Sequence, residues 1–444
     1  MFKKIYQFFG KRVSGLHSAA YLLAFFTLLS QLLALVRDRF LAHTFGAGAE
    51  LDAYFAAFRV PDLIYILAAS LVSFSVLMPF LARERSIGKE RERAFLDSIF
   101  SAFFIGIVCL SAFAFVFAPA LARLFFSGFS PELQDTTGML MRIMLIQPIL
   151  LGASNFFASI TQLERRFVLY GVSPVFYNAG IIVGIVLLYP SFGLSGLAWG
   201  VVLGALLHFA PQCIAVARSR ALPRLSLSLD TARVREVVRV SLPRALALSA
   251  QQLTMLALTA FAALTGAGAV AAFSFAWNLQ SVPLSLIAAS YGLAAFPALS
   301  SLWAVGKRDE FIVTIRSALR RILWWSSLAI ILCVVFRTEI VGVILGSGAF
   351  ETQSVETTAT VFALFVISLA AQGVSLLLTR GYYAAGYTRT PLIAALCGAA
   401  FSIFLAFLFM HSGGVFALPL AFSLGSIVSA LWLYARFPRD FHSA

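Results

Sequence analysis

Arg37, Asp38 and Arg39 stand side by side in the apolar stretch LLALVRDRFLAHTFG, Leu32–Gly46. A charge at the centre of a bilayer costs about 2.5–3.5 kcal/mol on insertion scales, so ionisable residues in such a segment usually mark a pathway or a partner. An arginine offers a planar fork of donors that matches the oxygens of a phosphate group. An adjacent aspartate could hold that arginine in place or pair with another helix. Successive residues turn by about 100° around a helix, so the three cannot share one face. Arg39 lies nearest the outer end and can snorkel outward. Arg37 and Asp38 are the candidates for an interior cavity; the competing reading makes all three interfacial anchors or structural pairs. Other polar groups fall at comparable depth. Gln31 precedes the triplet, Asp52, Arg59 and Asp62 flank the next apolar span, and Arg142, Arg244, Asn278 and Gln280 follow. Arg59 reads as a cap, an anchor or a second cation of the site. Arg142 reads first as an interfacial cation. Asn278 and Gln280 read as hydrogen-bonding links between helices, with ligand contact as the alternative.

Chemistry of other kinds has little to stand on. The four cysteines lie scattered with no disulfide or metal spacing, and the five histidines form no cluster. There is no phosphate-binding loop, no HExxH and no evident nucleophile with its base. No cofactor, metal or enzymatic reaction is therefore expected.

The elements that must position these residues are membrane helices. The chain has 444 residues, of which 61% are hydrophobic and 12% charged; its mean hydropathy is +0.92. Soluble domains carry about 25% charged residues, and a bilayer core demands runs of about 20 apolar ones. Twelve spans can be read, near residues 18–43, 54–82, 96–122, 138–162, 168–190, 194–216, 239–263, 270–303, 318–345, 356–383, 391–411 and 414–436. The basic start MFKKIYQFFGKR is expected to precede a retained helix rather than a cleaved leader. Alternate loops carry most of the 33 lysines and arginines. Examples are Lys3, Lys4, Lys11 and Arg12, then Arg83 to Arg93, then the run from Arg218 to Arg239. This bias predicts that both termini are cytoplasmic. It also accounts for the net charge of +14 without nucleic-acid binding, because the charges face anionic headgroups.

The two halves of the chain resemble each other. FGAGAELDAYFAAFRVPDL (Phe45–Leu63) matches TGAGAVAAFSFAWNLQSVPL (Thr265–Leu284), and LFFSGFSPE (Leu124–Glu132) matches ILGSGAFET (Ile344–Thr352). Gly46 pairs with Gly266 and Gly128 with Gly348, both at the same offset, and Pro61 pairs with Pro283 two residues further on. Chance similarity of apolar segments predicts no constant offset. The expected organisation is an N-terminal six-helix lobe over 1–217, a cytoplasmic linker over 218–238 and a C-terminal six-helix lobe over 239–444. Six spans per half give both lobes the same orientation, and parallel repeats of this kind suit transport by alternating access.

One further pattern names a family. SQLLALVRDRFLAHTFGAGAELDAYFAAFRVPDL (Ser30–Leu63) resembles the N-terminal signature of the MurJ/MviN family, lipid II flippases of bacterial peptidoglycan synthesis. They share a superfamily with the MATE exporters and polysaccharide flippases. VSPVFYNAGII (Val172–Ile182), GSGAFE (Gly346–Glu351) and RGYYAAGYTRTPL (Arg380–Leu392) extend the resemblance along nearly the whole chain. It implies an all-α polytopic fold of two six-helix lobes in a V, with a cationic cavity. It matches Arg37 and Asp38 to the family's R-D pair, Asp52 to the aspartate of its D-A-F motif and Arg59 to the basic residue before its P-N-L motif. Three family arginines are replaced, by Gln31, Tyr65 and Asn278, and the two C-terminal helices of the family's lipid-tail groove are expected to be absent. The expectation is a monomeric inner-membrane flippase for a polyprenyl-pyrophosphate-linked precursor, most simply lipid II. Its substrate-binding residues would be Arg37, Asp38, Asp52, Arg59 and Asn278, and its partners the lipid-linked glycan and membrane lipids. The alternatives are a flippase or exporter of another lipid-linked oligosaccharide or amphiphile, and a non-transporting scaffold of the same fold.

Overall fold

The computed structural model describes residues 16–219, 222–226 and 228–442. The basic residues of the N-terminus therefore lie outside the described residues. The described secondary structure is helical. In chain order the helices are α1 (Leu16–Phe45), α2 (Ala49–Ala57), α3 (Arg59–Leu71), α4 (Phe74–Ile87), α5 (Lys89–Phe125), α6 (Pro131–Met144), α7 (Ile146–Leu163) and α8 (Phe167–Val183). After a π-helical turn at Gly184–Leu188 come α9 (Tyr189–Phe192), α10 (Leu194–Arg218), α11 (Thr231–Ala263) and α12 (Ala269–Leu284). A second π turn, Ser285–Ala289, leads to α13 (Ser290–Ala304), α14 (Arg308–Val335), α15 (Arg337–Leu345), α16 (Thr352–Val366), α17 (Leu369–Ala384) and α18 (Arg389–His442).

Among the described residues, ten helical stretches are long and apolar enough to cross a membrane, and α16 with α17, bent by 43°, make an eleventh. The chain is therefore a multi-pass membrane protein. The stretch Arg389–Arg439 has 51 residues, about 75 Å at 1.5 Å per residue, against a hydrocarbon core of about 30 Å. It is interrupted at Gly414, whose φ of 54° and ψ of −144° are not helical. Proline sets another interruption. Pro61 cannot donate to the carbonyl of Ala57, four residues earlier, and the chain breaks there between α2 and α3. Pro61 then sits in the first turn of α3, where its missing N–H costs nothing. The corresponding Pro283 leaves α12 unbroken and is followed by the π turn.

Two compact units emerge from the packing. One comprises the described residues up to Arg37 with Ala57–Arg123 and Gln134–Ser249; the other comprises Asp38–Ala56, Leu124–Leu133 and the chain from Ala250 onward. The first has an aromatic core in which Phe100 meets Phe156 at 5.1 Å and Phe157 at 5.6 Å. Small residues let α8 and α10 touch along their backbones. A Cβ on Gly180 would strike Gly204, and one on Gly184 would strike Gly200, the close approach that small residues at four-residue spacing permit. The second unit is cored by Phe311, Leu377, Tyr382 and Phe441. Large apolar side chains stay exposed on α5 (Phe113, Val116), α14 (Trp324, Ile331) and α18 (Phe404, Phe407), as expected of helices solvated by lipid tails.

Candidate functional site

The first unit gathers Arg37, Arg59, Asp62, Gln147 and Asn178. Arg37, half-buried on α1, donates through Nη1 to Asn178 Oδ1 at 3.0 Å. Asn178 is buried on α8. Its amide nitrogen lies 3.2 Å from Ser30 Oγ on α1 and 3.1 Å from the Pro174 carbonyl one turn back. The asparagine therefore ties α1 to α8 and orients the guanidinium. Asp62, in the first turn of α3 where its charge suits the helix dipole, accepts a hydrogen bond from Gln147 Nε2 at 3.3 Å. Both Arg59 and Arg37 act on it electrostatically. Two arginines thus act on one carboxylate, and guanidinium groups are the side chains suited to a phosphate or diphosphate. One turn further along α3, Tyr65 accepts from Asn155 Nδ2 at 2.6 Å.

Asp38 belongs to the second unit, although it follows Arg37 directly. It is 2% exposed and accepts from Asn278 Nδ2 at 2.9 Å. Asp52 is 0% exposed. Its Oδ2 accepts from the Gly268 N–H at 2.6 Å and its Oδ1 from the Ala271 N–H at 2.7 Å. A carboxylate that satisfies orphan N–H groups at a helix start is an N-terminal cap, here supplied to α12 from a distant part of the chain. Arg39 donates to the carbonyls of Val343 and Ile344, in the last turn of α15, where a cation is favoured. It is an anchor, held by a helix C-terminus.

The repeat is visible in this unit as contacts. A Cβ on Gly348, whose φ is 60°, would collide with His43, and one on Gly128 would collide with the Ala263 carbonyl. His43 and Ala263 are separated by the same interval as Gly128 and Gly348, so the two contacts are repeat-related. Asp52 breaks the symmetry, because the equivalent position in the second half is Ala272.

Other expected site residues have structural work. Arg142 Nε donates to the Phe115 carbonyl at 3.1 Å. That carbonyl lies four residues before Pro119, which has no N–H to offer it. Gln280 accepts from Gln372 Nε2 at 3.2 Å, linking α12 to α17. Sequence reasoning passed over Asn178 and Gln147. Both carry a signal in retrospect: a carboxamide in an apolar helix, one turn from a proline or directly beside one. Among the described residues no cluster of three His, Cys, Asp or Glu side chains could hold a metal ion.

Comparison with known proteins follows the same lines. A family model described as "Lipid II flippase MurJ" matches residues 41–443. Asp52, Arg59 and Asn278 fall within the match, and Arg37 and Asp38 lie just before it. The "Probable lipid II flippase MurJ" of Bdellovibrio bacteriovorus is 28% identical over 423 residues, covering 94% of this chain and 80% of that protein. The "Lipid II flippase MurJ" of Burkholderia cenocepacia is 24% identical, covering 92% and 81%. Among solved structures, a lipid II flippase MurJ in an inward closed conformation superimposes with a TM-score of 0.83 at 22% identity, covering 95% of this chain and 89% of that one. An inward-facing multidrug resistance transporter of the MATE family superimposes with a TM-score of 0.79 at 17% identity, covering 96% and 98%. At these identities the structures establish a shared fold.

Proposed function

The chain belongs to the lipid II flippase MurJ family, and on that premise we propose that it moves a polyprenyl-pyrophosphate-linked cell-wall precursor, lipid II, across the bacterial inner membrane by alternating access. It is a transporter, and no bond of the cargo needs to form or break. The observation that carries the reading is the Arg37 cluster, two arginines around Asp62 with Asn178 fixing one of them. A diphosphate entering the cluster would exchange the shared carboxylate for its own oxygens, and charge-assisted hydrogen bonds of this kind contribute about 1.5–3 kcal/mol each. We assign Arg37 and Arg59 to the cargo. Asp38, Asn278 and Asp52 are already engaged with one another or with backbone, and we assign them to closure.

The transport cycle we propose needs twelve crossings, with α18 crossing twice on either side of Gly414, and both termini on the cytoplasmic side. The sequence halves 1–217 and 239–444, joined by 218–238, are the rocking bodies of a monomer. With the basic loops inside, Asp52, Gly46 and Gly348 lie at the outer end. The capping of α12 by Asp52 is then an outer closure that each cycle must release.

A second reading, transport of a different lipid-linked glycan, draws support from the replaced family arginines. Tyr65 bonds Asn155 and Asn278 bonds Asp38, so two of those positions carry neutral hydrogen-bonding groups. Depletion of the native lipid II flippase in a bacterium expressing this chain distinguishes the readings. Rescue of growth that is lost on Arg37→Ala supports lipid II. Failure to rescue despite normal membrane insertion favours another cargo or a scaffold, and accumulation of a different lipid-linked precursor on deleting the native gene selects another cargo.

A further inference from the structure

We propose that α14 carries a binding site for the headgroup of an anionic phospholipid, built from Arg316, Arg320 and Arg321 one turn from the Trp324–Trp325 pair. The buried side chains of α14, among them Phe311, Ile315, Leu319 and Ile322, point into the core of the second unit. Residues four apart share a helix face. Arg316, Arg320, Trp324 and Leu328 therefore form one row along the opposite side, and Arg321 and Trp325 form the next; all six are exposed. From Leu323 to Val335 the exposed large side chains of the helix are apolar. The arginines thus sit at the border between the basic end of α14 and its lipid-facing length. The two indoles meet edge to face at 4.7 Å, and exposed tryptophan is enriched at the level of the membrane interface.

Among the described residues no carboxylate pairs with Arg316, Arg320 or Arg321; the acids of α14 lie at its start, where Glu310 pairs with Lys307 at 2.7 Å. The internal repeat shows that a lobe does not need these arginines. At the offset that pairs Gly128 with Gly348, they correspond to Leu96, Phe100 and Ser101 of α5. There the face is covered by protein: Leu96 and Phe100 are buried, and Ser101 Oγ accepts from the Ser226 N–H at 2.8 Å. On α14 the same face is open and cationic. A guanidinium is weakly hydrated, and its planar fork fits two phosphate oxygens. A cluster of such groups at the basic end of a lipid-facing helix selects an anionic headgroup over a zwitterionic one. The acyl chains of that lipid then lie along the row that Trp324 and Leu328 continue. The occupant is a bulk anionic phospholipid of the leaflet on the basic-loop side. Arg37 and its partners belong to the other unit, so the inference is independent of the cargo.

The test reads the tryptophan pair itself. The full chain is placed in nanodiscs of phosphatidylglycerol and phosphatidylcholine at one fixed composition, with bromine on the acyl chains of either one lipid or the other. Bromine quenches indole fluorescence on contact, and subtracting the signal of a Trp324→Phe, Trp325→Phe chain isolates the pair. The expected result is stronger quenching by brominated phosphatidylglycerol, equivalent to a local preference of about fivefold over phosphatidylcholine. Arg320→Ala with Arg321→Ala removes that preference, with an unchanged size-exclusion profile. If that chain does not insert, salt at about 1 M removes the preference of the unaltered chain by screening. Equal quenching by the two brominated lipids, a preference undiminished by the arginine variant or by salt, or relief of quenching by a polyprenyl phosphate more readily than by added unlabelled phosphatidylglycerol each overturns the proposal.

Discussion

Arg37 and Asp38 are covalent neighbours with opposite surroundings. Arg37 is half-buried, donates to Asn178 and, together with Arg59, acts electrostatically on Asp62. Asp38 is buried against Asn278, and Asp52, on the same side of the comparison, has both oxygens on backbone N–H groups. The contrast teaches that charges at similar depth do not carry similar meaning. A buried carboxylate with matched donors holds helices together, whereas the arginines beside Asp62 are the ones we propose to serve an anionic cargo.

The largest effect is expected at Arg37. Arg37→Ala should lower cargo binding or transport about 10–100-fold, the loss of one charge-assisted bond of about 1.5–3 kcal/mol. Arg37→Lys should fall between, because an ammonium keeps the charge and loses the fork. A transport assay in proteoliposomes checks both. Asp52→Ala comes next and should act on stability. It orphans two N–H groups at the start of α12 and should cost about 1–2 kcal/mol, seen as a lower thermal midpoint in detergent; Asp52→Asn should cost less. A double-mutant cycle over Asp38→Ala and Asn278→Ala should give a coupling of about 0.6–1.7 kcal/mol. A coupling near zero would show that the pair does not hold these helices. The smallest effect is expected for Arg142→Ala, about 0.5–1.5 kcal/mol, through the Phe115 carbonyl, with transport retained.

The helical class and the internal repeat were legible because hydropathy and the offset of paired glycines are long-range patterns that survive divergence. The candidate residues were legible one by one, since any charge in an apolar segment stands out. Their partners were not. Nothing in LALVRDRF says that Arg37 and Asp38 bond to different helices, because the direction of a side chain depends on which helix packs beside it. Asn178 and Gln147 stayed hidden for the same reason, being neutral groups whose importance comes from what faces them. Pro119 and Arg142 show the complementary case. The proline advertises a free carbonyl at Phe115, and only the packing of α6 on α5 reveals the arginine that satisfies it.

The division of labour between the two regions is tested most directly by titrating the purified chain with a polyprenyl diphosphate and comparing Arg37→Ala with Asp52→Asn. The account predicts an affinity weakened about 10–100-fold by Arg37→Ala and changed less than about threefold by Asp52→Asn. Undiminished binding by Arg37→Ala, or a larger loss from Asp52→Asn, would contradict it.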